Sequence, residues 1–376
     1  MISLAKVAVI GSGPAGSTAA MLLAQSQIST LLIDRSDDMS WKVGEGLPPL
    51  AKPLLQKLGV WKQFIEDAHL PSYGNRSAWG SQELVDYDFI FDPNGVGWHL
   101  DRQKFDKMLT NVAVQSGAIK QSHAQVVGFE RRQYDGWRLF LQSEGQQWHV
   151  DADFIIDATG RTSWFSKRQG NKRKHFDRLV GVVTLLAPTS FSTDCDSMTM
   201  VEATQDGWWY SALLPSQKLV VAYMSDADLV TSKRLKTVDG WTALISQTKH
   251  IRHRVESHGY CVELPPHIVS ANSSLASKTV GESWLAVGDA ASSYDPLSSQ
   301  GIVTAIFTGI KAATSIQAHL SGEHKALENY SDYIRQLYND YLTKHKAYYS
   351  SEQRWTTSPF WQRRLGTYFS DIFHDG

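Results

Sequence analysis

The sequence predicts an α/β protein with a doubly wound, mostly parallel sheet in one domain, an antiparallel β-sheet in a second, and C-terminal helices. Three observations predict it. Val7–Ile10 is a short, wholly apolar run, followed by Gly11-Ser12-Gly13-Pro14-Ala15-Gly16, by small apolar residues at helical spacing over 18–24, and by a second apolar run, Thr30–Ile33. That succession is a βαβ unit, and continuous apolar runs are what buried parallel strands require. Two similar runs, Phe154-Ile155-Ile156 and Trp284–Val287, lead into Asp157-Ala158-Thr159-Gly160 and Gly288-Asp289. Between them, segments 179–187, 197–203, 207–214 and 218–224 read as antiparallel strands of one large sheet.

The remaining elements follow in order. Residues 41–71 read as a loop punctuated by Gly44, Gly46, Pro48 and Pro49, then a helix. Residues 79–98 alternate polar and apolar, which predicts strands of an added sheet. Phe105, Met108, Leu109 and Val112 fall at the 3–4 spacing of a helix over 102–114. Short strands are expected at 123–130, 137–142 and 147–150, with Asp135-Gly136 as a hairpin turn. Residues 236–257 read as helical. Ile302, Ala305, Ile306, Ile310, Ala313 and Ile316 mark one helix face, and the Tyr-rich end of the chain reads as mostly helical. These elements predict a dinucleotide-binding domain from 1–75, 99–170 and 271–320, a substrate domain from 76–98 and 171–270, and a helical cap over 321–376.

Composition bounds the function. A chain of 376 residues is long for one compact domain and short for three. Charges nearly cancel, 37 basic side chains against 38 acidic, which argues against a dedicated nucleic-acid binder. The two cysteines, Cys195 and Cys261, make neither a disulfide framework nor a zinc ribbon, and no metal site is expected. No apolar stretch approaches the ~18 residues of a membrane span, and no basic run precedes the first apolar one as in a signal peptide. A soluble, reducing, cytoplasmic setting is expected. The 13 tryptophans stand out beside 14 tyrosines and 14 phenylalanines. Either such rings fill the core, or several line a site for a flat ligand or aromatic substrate. Lys167, Arg168, Lys172, Arg173 and Lys174 read as a solvated loop cluster.

The glycine turn carries chemistry. A lone G-x-G-x-x-G is weak, but here a strand precedes it, a helix follows, and Asp34 ends the second strand 18 residues after Gly16. Gly11 allows the tight turn, Gly13 lets backbone N–H groups approach a pyrophosphate, and Gly16 lets helix and sheet pack closely. The helix N-terminus adds partial positive charge beneath the phosphates. Asp34 can accept both ribose hydroxyls, which favours a free 2′-hydroxyl over a 2′-phosphate. The motif alone does not separate NAD from FAD.

Later segments do. Leu285-Ala286-Val287-Gly288-Asp289-Ala290-Ala291, with Asp295-Pro296-Leu297-Ser298-Ser299-Gln300-Gly301, resembles the second FAD fingerprint of the flavoprotein monooxygenases of the p-hydroxybenzoate hydroxylase superfamily. Asp157-Ala158-Thr159-Gly160-Arg161 resembles the strand–turn that precedes their substrate domain. Arg102, in Asp101-Arg102-Gln103-Lys104-Phe105-Asp106, matches an arginine that opens a helix near the flavin. With the glycine turn, these segments stand in the family's order and extend to about residue 320. The resemblance implies a Rossmann-like, glutathione-reductase-type first domain and FAD as cofactor. It implies that Asp289 bonds the ribityl chain. It also implies that the helix from Gly301 points its N-terminus at the flavin's N1–C2=O edge, favouring the anionic reduced form. Pro14, Ala15, Arg35, Val126, Ala158 and Gly160 are carried over as cofactor contacts, as are Gly288, Pro296, Ser299, Gln300 and Ile302. Only one dinucleotide fingerprint is present, so the electron donor is left open between transient NAD(P)H, an external reductase and the substrate.

Gly207-Trp208-Trp209-Tyr210-Ser211-Ala212-Leu213-Leu214-Pro215 resembles the Trp-rich strand that faces the flavin in the tryptophan halogenase branch. Gly44-Glu45-Gly46-Leu47-Pro48-Pro49 resembles that branch's Gly-Glu-x-x-x-Pro loop, and the tail over 348–364 is also halogenase-like. Two departures count against halogenation. Region 73–80 lacks the halogenases' essential lysine, and Trp208 and Trp209 are adjacent rather than spaced as Trp-x-Trp-x-Ile-Pro. The short chain, the Gly-Trp-Trp-Tyr strand and Gly97-Trp98-His99-Leu100-Asp101-Arg102 most resemble the small flavoproteins required for cysteine tryptophylquinone or lysine tryptophylquinone biogenesis in amino-acid oxidases. That resemblance implies hydroxylation, with O2, of a tryptophan side chain in a precursor amino-acid oxidase. The alternatives are a halogenase, a hydroxylase of a small aromatic substrate, and a flavin-bearing chaperone without turnover. His99 is the acid–base candidate, since histidine titrates near neutrality. Trp208, Trp209 and Tyr210 are expected on the pocket wall. Lys42 and Glu45 are further candidates from the glycine loop. For each the alternative is packing or plain exposure.

Overall fold

The computed structural model describes residues 4–35, 41–133, 135–189, 194–231 and 237–365. Parts of the expected domains and helices at 1–3, 36–40, 134, 190–193, 232–236 and 366–376 lie outside them.

The Leu4–Ile10 strand pairs in parallel with Thr30–Ile33 on one side and with Gln146–Asp157 on the other. Ile119–Gln121 and Trp284–Ala286 extend the sheet in parallel at its two flanks. Helices Pro14–Gln25 and Gly301–Leu320 cross closely, because their residues are small where they meet. A Cβ added to Gly309 would stand 2.5 Å from the Ala15 carbonyl oxygen. Val7, Val9, Leu32, Phe105, Ile155 and Ile306 centre the core between sheet and helices.

The strands expected at 147–150 and 154–156 are one strand, Gln146–Asp157. Asp151 and Ala152 belong to both its antiparallel pairing with Trp137–Ser143 and its parallel pairing with Leu4–Ile10. The first half has one wet face and the second none, so the burial pattern changes midway without a break in the chain.

The antiparallel sheet runs in the order Tyr260–Ser270, Leu179–Pro188, Leu219–Asp226, Gly207–Leu213, Thr199–Thr204, Gly74–Ala78, Val85–Asp88. One pairing, Thr199–Thr204 with Gly74–Ala78, is parallel. Strand alternation sends the adjacent Trp208 and Trp209 to opposite faces. Trp208 packs with Tyr349, Phe360 and Trp361, and Trp209 with Tyr223, Trp241 and Ile251. Tyr260–Ser270 is a strand that the sequence reading does not include, because Pro265 and Pro266 interrupt it. Its place at the sheet edge, with register shifts opposite Val183–Leu186, tolerates the missing N–H donors.

The helix expected over 236–257 is two, Val238–Ile245 and His250–Ser257. Buried Glu202 explains the break: its carboxylate accepts from the backbone N–H groups of Lys249, His250 and Ile251 at 2.7–2.9 Å and starts the second helix. Ala326–Ser350 turns Tyr330, Ile334, Tyr338, Tyr341, His345 and Tyr349 inward as one face. Pro359–Leu365 then closes on the sheet, where buried Arg364 meets Asp226 at 2.8 Å. Arg173 departs from the solvated cluster expected around it. It donates to Ala290 O at 2.6 Å, Ser163 Oγ at 2.7 Å and Ser274 Oγ at 2.9 Å. Among the described residues no helix is long and apolar enough to cross a membrane.

Candidate active site

The carboxyl ends of the central parallel strands leave a crevice, as open α/β sheets do. Here it faces the antiparallel sheet and forms a cleft of about 410 Å³. Gly13, Pro14 and Ala15 of the glycine turn line it, with Ala158, Gly160, Gly288 and Asp289 and with Pro296, Ser299, Gly301 and Ile302. The opposite wall is apolar and strand-periodic: Val220, Ala222 and Met224 are alternate residues of Leu219–Asp226. Gly11 and Gly16 shape the cleft without lining it. Gly11 has φ +107°, and a Cβ there would lie 2.4 Å from Ala158 O. At Gly16 a Cβ would lie 2.0 Å from Gly11 O. Over Gly13 a Cβ meets nothing within 4 Å, so the space above the turn is open.

These residues fit FAD. Helix Pro14–Gln25 starts with proline and has no side-chain cap, which leaves its amino end for a pyrophosphate. Asp34 closes the second strand, buried, with the Ser12 hydroxyl donating to its Oδ2. Asp289 is about one-third exposed and faces Arg161 Nε at 3.4 Å. The Gly301–Leu320 helix also begins without a side-chain cap. Arg35 is exposed beside Asp34. Val126 packs into the first core, and Gln300 is the N-cap residue of the long helix; neither lines the cleft.

The catalytic candidates separate. Glu45 and Tyr210 both line the cleft. Burial pushes the Tyr210 hydroxyl well above its ordinary pKa, and the neighbouring Glu45 carboxylate adds to this. The Tyr210 hydroxyl also meets Thr199, whose Oγ1 is 2.9 Å from His99 Nε2. His99 Nδ1 is 2.8 Å from the Leu213 carbonyl. A carbonyl only accepts, so neutral His99 carries its proton on Nδ1 and accepts from Thr199 at Nε2. Burial pulls the His99 pKa down to about 4. His99 therefore does not reach the cleft as an acid–base group. It is buried behind Thr199, which stands beside Tyr210.

Trp208 and Trp209 do not form the pocket wall either. Both are fully buried, and Trp208 Nε1 donates to the Tyr349 hydroxyl at 2.9 Å. No tryptophan lines the cleft among the described residues; its aromatic side chains are Tyr210 and Tyr294. Lys42 pairs with Asp106 at 3.1 Å and Arg102 meets the same carboxylate at 3.2 Å. Arg102 also donates to the carbonyls of Val43 and Gly44 at 2.9 Å, so these cations anchor the glycine loop to helix Arg102–Gln115. A side cavity of about 320 Å³ adjoins, walled partly by apolar residues, Trp41, Leu100, Leu185 and Leu264 among them, and partly by charged ones, including Lys42, Asp101, Lys218 and Glu263. It shares Glu45 and Arg102 with the main cleft. Arg161, Tyr294 and Asp295 are cleft residues missing from the sequence-derived set. Arg161 and Asp295 stand within the segments that carry the resemblance, and Tyr294 directly precedes one.

Comparison with known proteins agrees with this geometry. The model of the FAD binding domain family matches residues 4–343, and the chain belongs to that family of FAD-dependent oxidoreductases. The Marinomonas mediterranea protein LodB, classed as an FAD-dependent oxidoreductase, is 30% identical over 369 residues, covering 97% of this chain and 98% of its own. Among solved structures, the myxobacterial chondrochloren halogenase CndH superposes with a TM-score of 0.87 at 22% identity, over 96% of this chain and 86% of its own. The peptidyl tryptophan dihydroxylase QhpG, essential for tryptophylquinone cofactor biogenesis, superposes with a TM-score of 0.73 at 23% identity, over 96% and 79%. These two likenesses speak for the fold.

Proposed function

We propose that this flavoprotein is a monooxygenase that hydroxylates the indole of a tryptophan side chain in a precursor protein, during maturation of a tryptophylquinone cofactor in an amino-acid oxidase. One observation carries the reading: Glu45 stands on the boundary between the cleft that fits FAD and a side cavity of about 320 Å³ that Trp41 and several leucines help to line. Gly13, the two uncapped helix ends, Asp34 and Asp289 would hold the cofactor. Bound and reduced, FAD supplies the activated oxygen. The side cavity receives the indole against Trp41, Leu100, Leu185 and Leu264. Glu45, beside Tyr210, removes the ring proton that substitution releases.

The relatives are consistent with either a dihydroxylase or a halogenase. Strand Gly74–Ala78, where the resemblance would place the halogenase lysine, carries none, which favours oxygen insertion. The electron donor is proposed to be transiently bound NAD(P)H or an external reductase, since the sequence has one dinucleotide fingerprint.

The test is an incubation of FAD-loaded protein with reductant, O2, halide and either a precursor oxidase polypeptide or free tryptophan. Intact-mass analysis should show one or two added oxygens on a tryptophan of the polypeptide and no change in free tryptophan. Halogenated product, or maturation of the partner by protein stripped of flavin, overturns the reading.

A further inference from the structure

A second cavity, of about 260 Å³, lies beside the C-terminal helices. Asp295 lines the main cleft, His345 lines this second cavity, and His345 Nε2 is 3.0 Å from Asp295 Oδ2. One hydrogen bond therefore separates the two spaces. Asp295 is 1% exposed and His345 8%, so this is a connection through the interior. The carboxylate is held from other sides too. Tyr349 donates to the same oxygen at 2.8 Å, and Trp208 donates to Tyr349 in turn. The backbone N–H groups of Leu297 and Asp295 bond Asp295 Oδ1 and the Tyr341 hydroxyl at 2.8 and 2.9 Å. Burial alone would push the Asp295 carboxyl up, yet the His345 contact and these donors hold it below the ordinary carboxylate range.

We propose that Asp295 and His345 form the proton path of the cleft. The imidazole takes a proton from the second cavity on Nδ1 and passes the one on Nε2 to Asp295 Oδ2, which delivers it into the cleft. One proton enters and one leaves; the imidazole is left protonated on Nδ1, and a turn of the ring restores the Nε2–H form for the next transfer. The second cavity connects to solvent past exposed Arg178 and half-buried Arg363. Asp177, Asp226 and Arg364 complete the charged groups facing His345 there, and Tyr341 and Tyr349 flank it on its own helix. His345 is thus a positioning and relay residue, in no contact with a substrate. The proposal rests on the cleft being the flavin site but not on which substrate is oxidised.

Two measurements test it. In cofactor-free protein labelled with 15N-histidine, the His345 Nε2 resonance should move in Asp295→Asn, as its bond to a carboxylate becomes one to an amide. In FAD-loaded protein reduced anaerobically by light, a stopped-flow pH jump should report protonation of the bound flavin. His345→Gln keeps a donor to Asp295 but relays nothing, and should slow that phase at least tenfold with FAD affinity within twofold of the parent. His345→Ala should be slow likewise and recover with added imidazole, which enters through the second cavity. An unchanged rate in His345→Gln, or a His345 Nε2 resonance identical in the parent and Asp295→Asn, overturns the relay. Failure of the parent chain to bind FAD overturns the cleft assignment instead, and the NMR comparison still judges the pair.

Discussion

Tyr210, on the antiparallel sheet, neighbours the Glu45 carboxylate of the glycine loop at the boundary of two cavities. Glu45 is 3% exposed and its Oε2 accepts from Gly44 N at 3.1 Å, so its carboxylate is aimed rather than free to swing. Positioned bases of this kind contribute roughly 10²–10⁴-fold to rate. We expect Glu45→Gln to lower single-turnover product formation about 100-fold with FAD affinity unchanged. Tyr210→Phe leaves the base in place and should cost about tenfold. Equal losses in FAD binding and turnover would reassign Glu45 to the cofactor.

Two glycines of the turn should respond in opposite ways. Gly13 has φ −65°, and a Cβ there meets nothing within 4 Å, whereas at Gly16 it would lie 2.0 Å from a backbone oxygen. Gly13→Ala should raise the stability of the cofactor-free protein by about 0.5 kcal/mol by restricting the unfolded chain. Its methyl group nevertheless occupies the pyrophosphate space, so FAD should bind at least tenfold more weakly. Gly16→Ala should destabilise by about 3 kcal/mol, because neither backbone can yield. Thermal melts without cofactor, set beside flavin fluorescence titrations, check both.

Where local pattern and tertiary environment agree, the chain is readable. Val7–Ile10 and Leu31–Ile33 lie in buried strands because every residue in them is apolar, and the helix over 301–320 is visible from its isoleucine and alanine stripe. Legibility failed where burial changes within one element, as in Gln146–Asp157, or where an edge position excuses prolines, as in Tyr260–Ser270. The glycines that line or shape the cleft were readable because only their geometry suits the site. Trp208, Trp209 and His99 were not, since large or titratable side chains serve a core as readily as a pocket. Which face of a strand meets the cleft depends on register, and Tyr210 differs from Trp209 by that alone.

Buried His99 should make stability fall in acid. Its pKa is pulled from 6.5 down to about 4 by burial, so the folded chain keeps it neutral while the unfolded chain protonates it. Below pH 6.5 the unfolded state binds the extra proton, and the advantage is lost progressively until the pH passes about 4. The full swing is about 3 kcal/mol. Urea unfolding at steps from pH 7 to pH 4 should show this slope, and His99→Gln should flatten it. His69, also pulled down to about 4 chiefly by burial, adds a parallel contribution that His99→Gln leaves in place. A slope identical in parent and variant would place the acid sensitivity elsewhere.

Asp106 holds the glycine loop through two cations. It is 5% exposed, and both Lys42, at 3.1 Å, and Arg102, at 3.2 Å, end on its carboxylate. Removing a buried partner strands the charges it served, at roughly 3–5 kcal/mol. Lys42 keeps about a third of its side chain in solvent and Arg102 keeps the Val43 and Gly44 carbonyls, so the low end applies. Asp106→Ala should therefore cost about 3 kcal/mol in chemical denaturation. It should also release the loop that carries Glu45, so trypsin should cut after Lys42 faster than in the parent, and bound FAD should slow that cleavage. Unchanged cleavage at Lys42 with lowered overall stability would mean that Asp106 supports the helix alone and that the loop is placed by its strand pairing of Gly46 and Leu47 with His99 and Trp98.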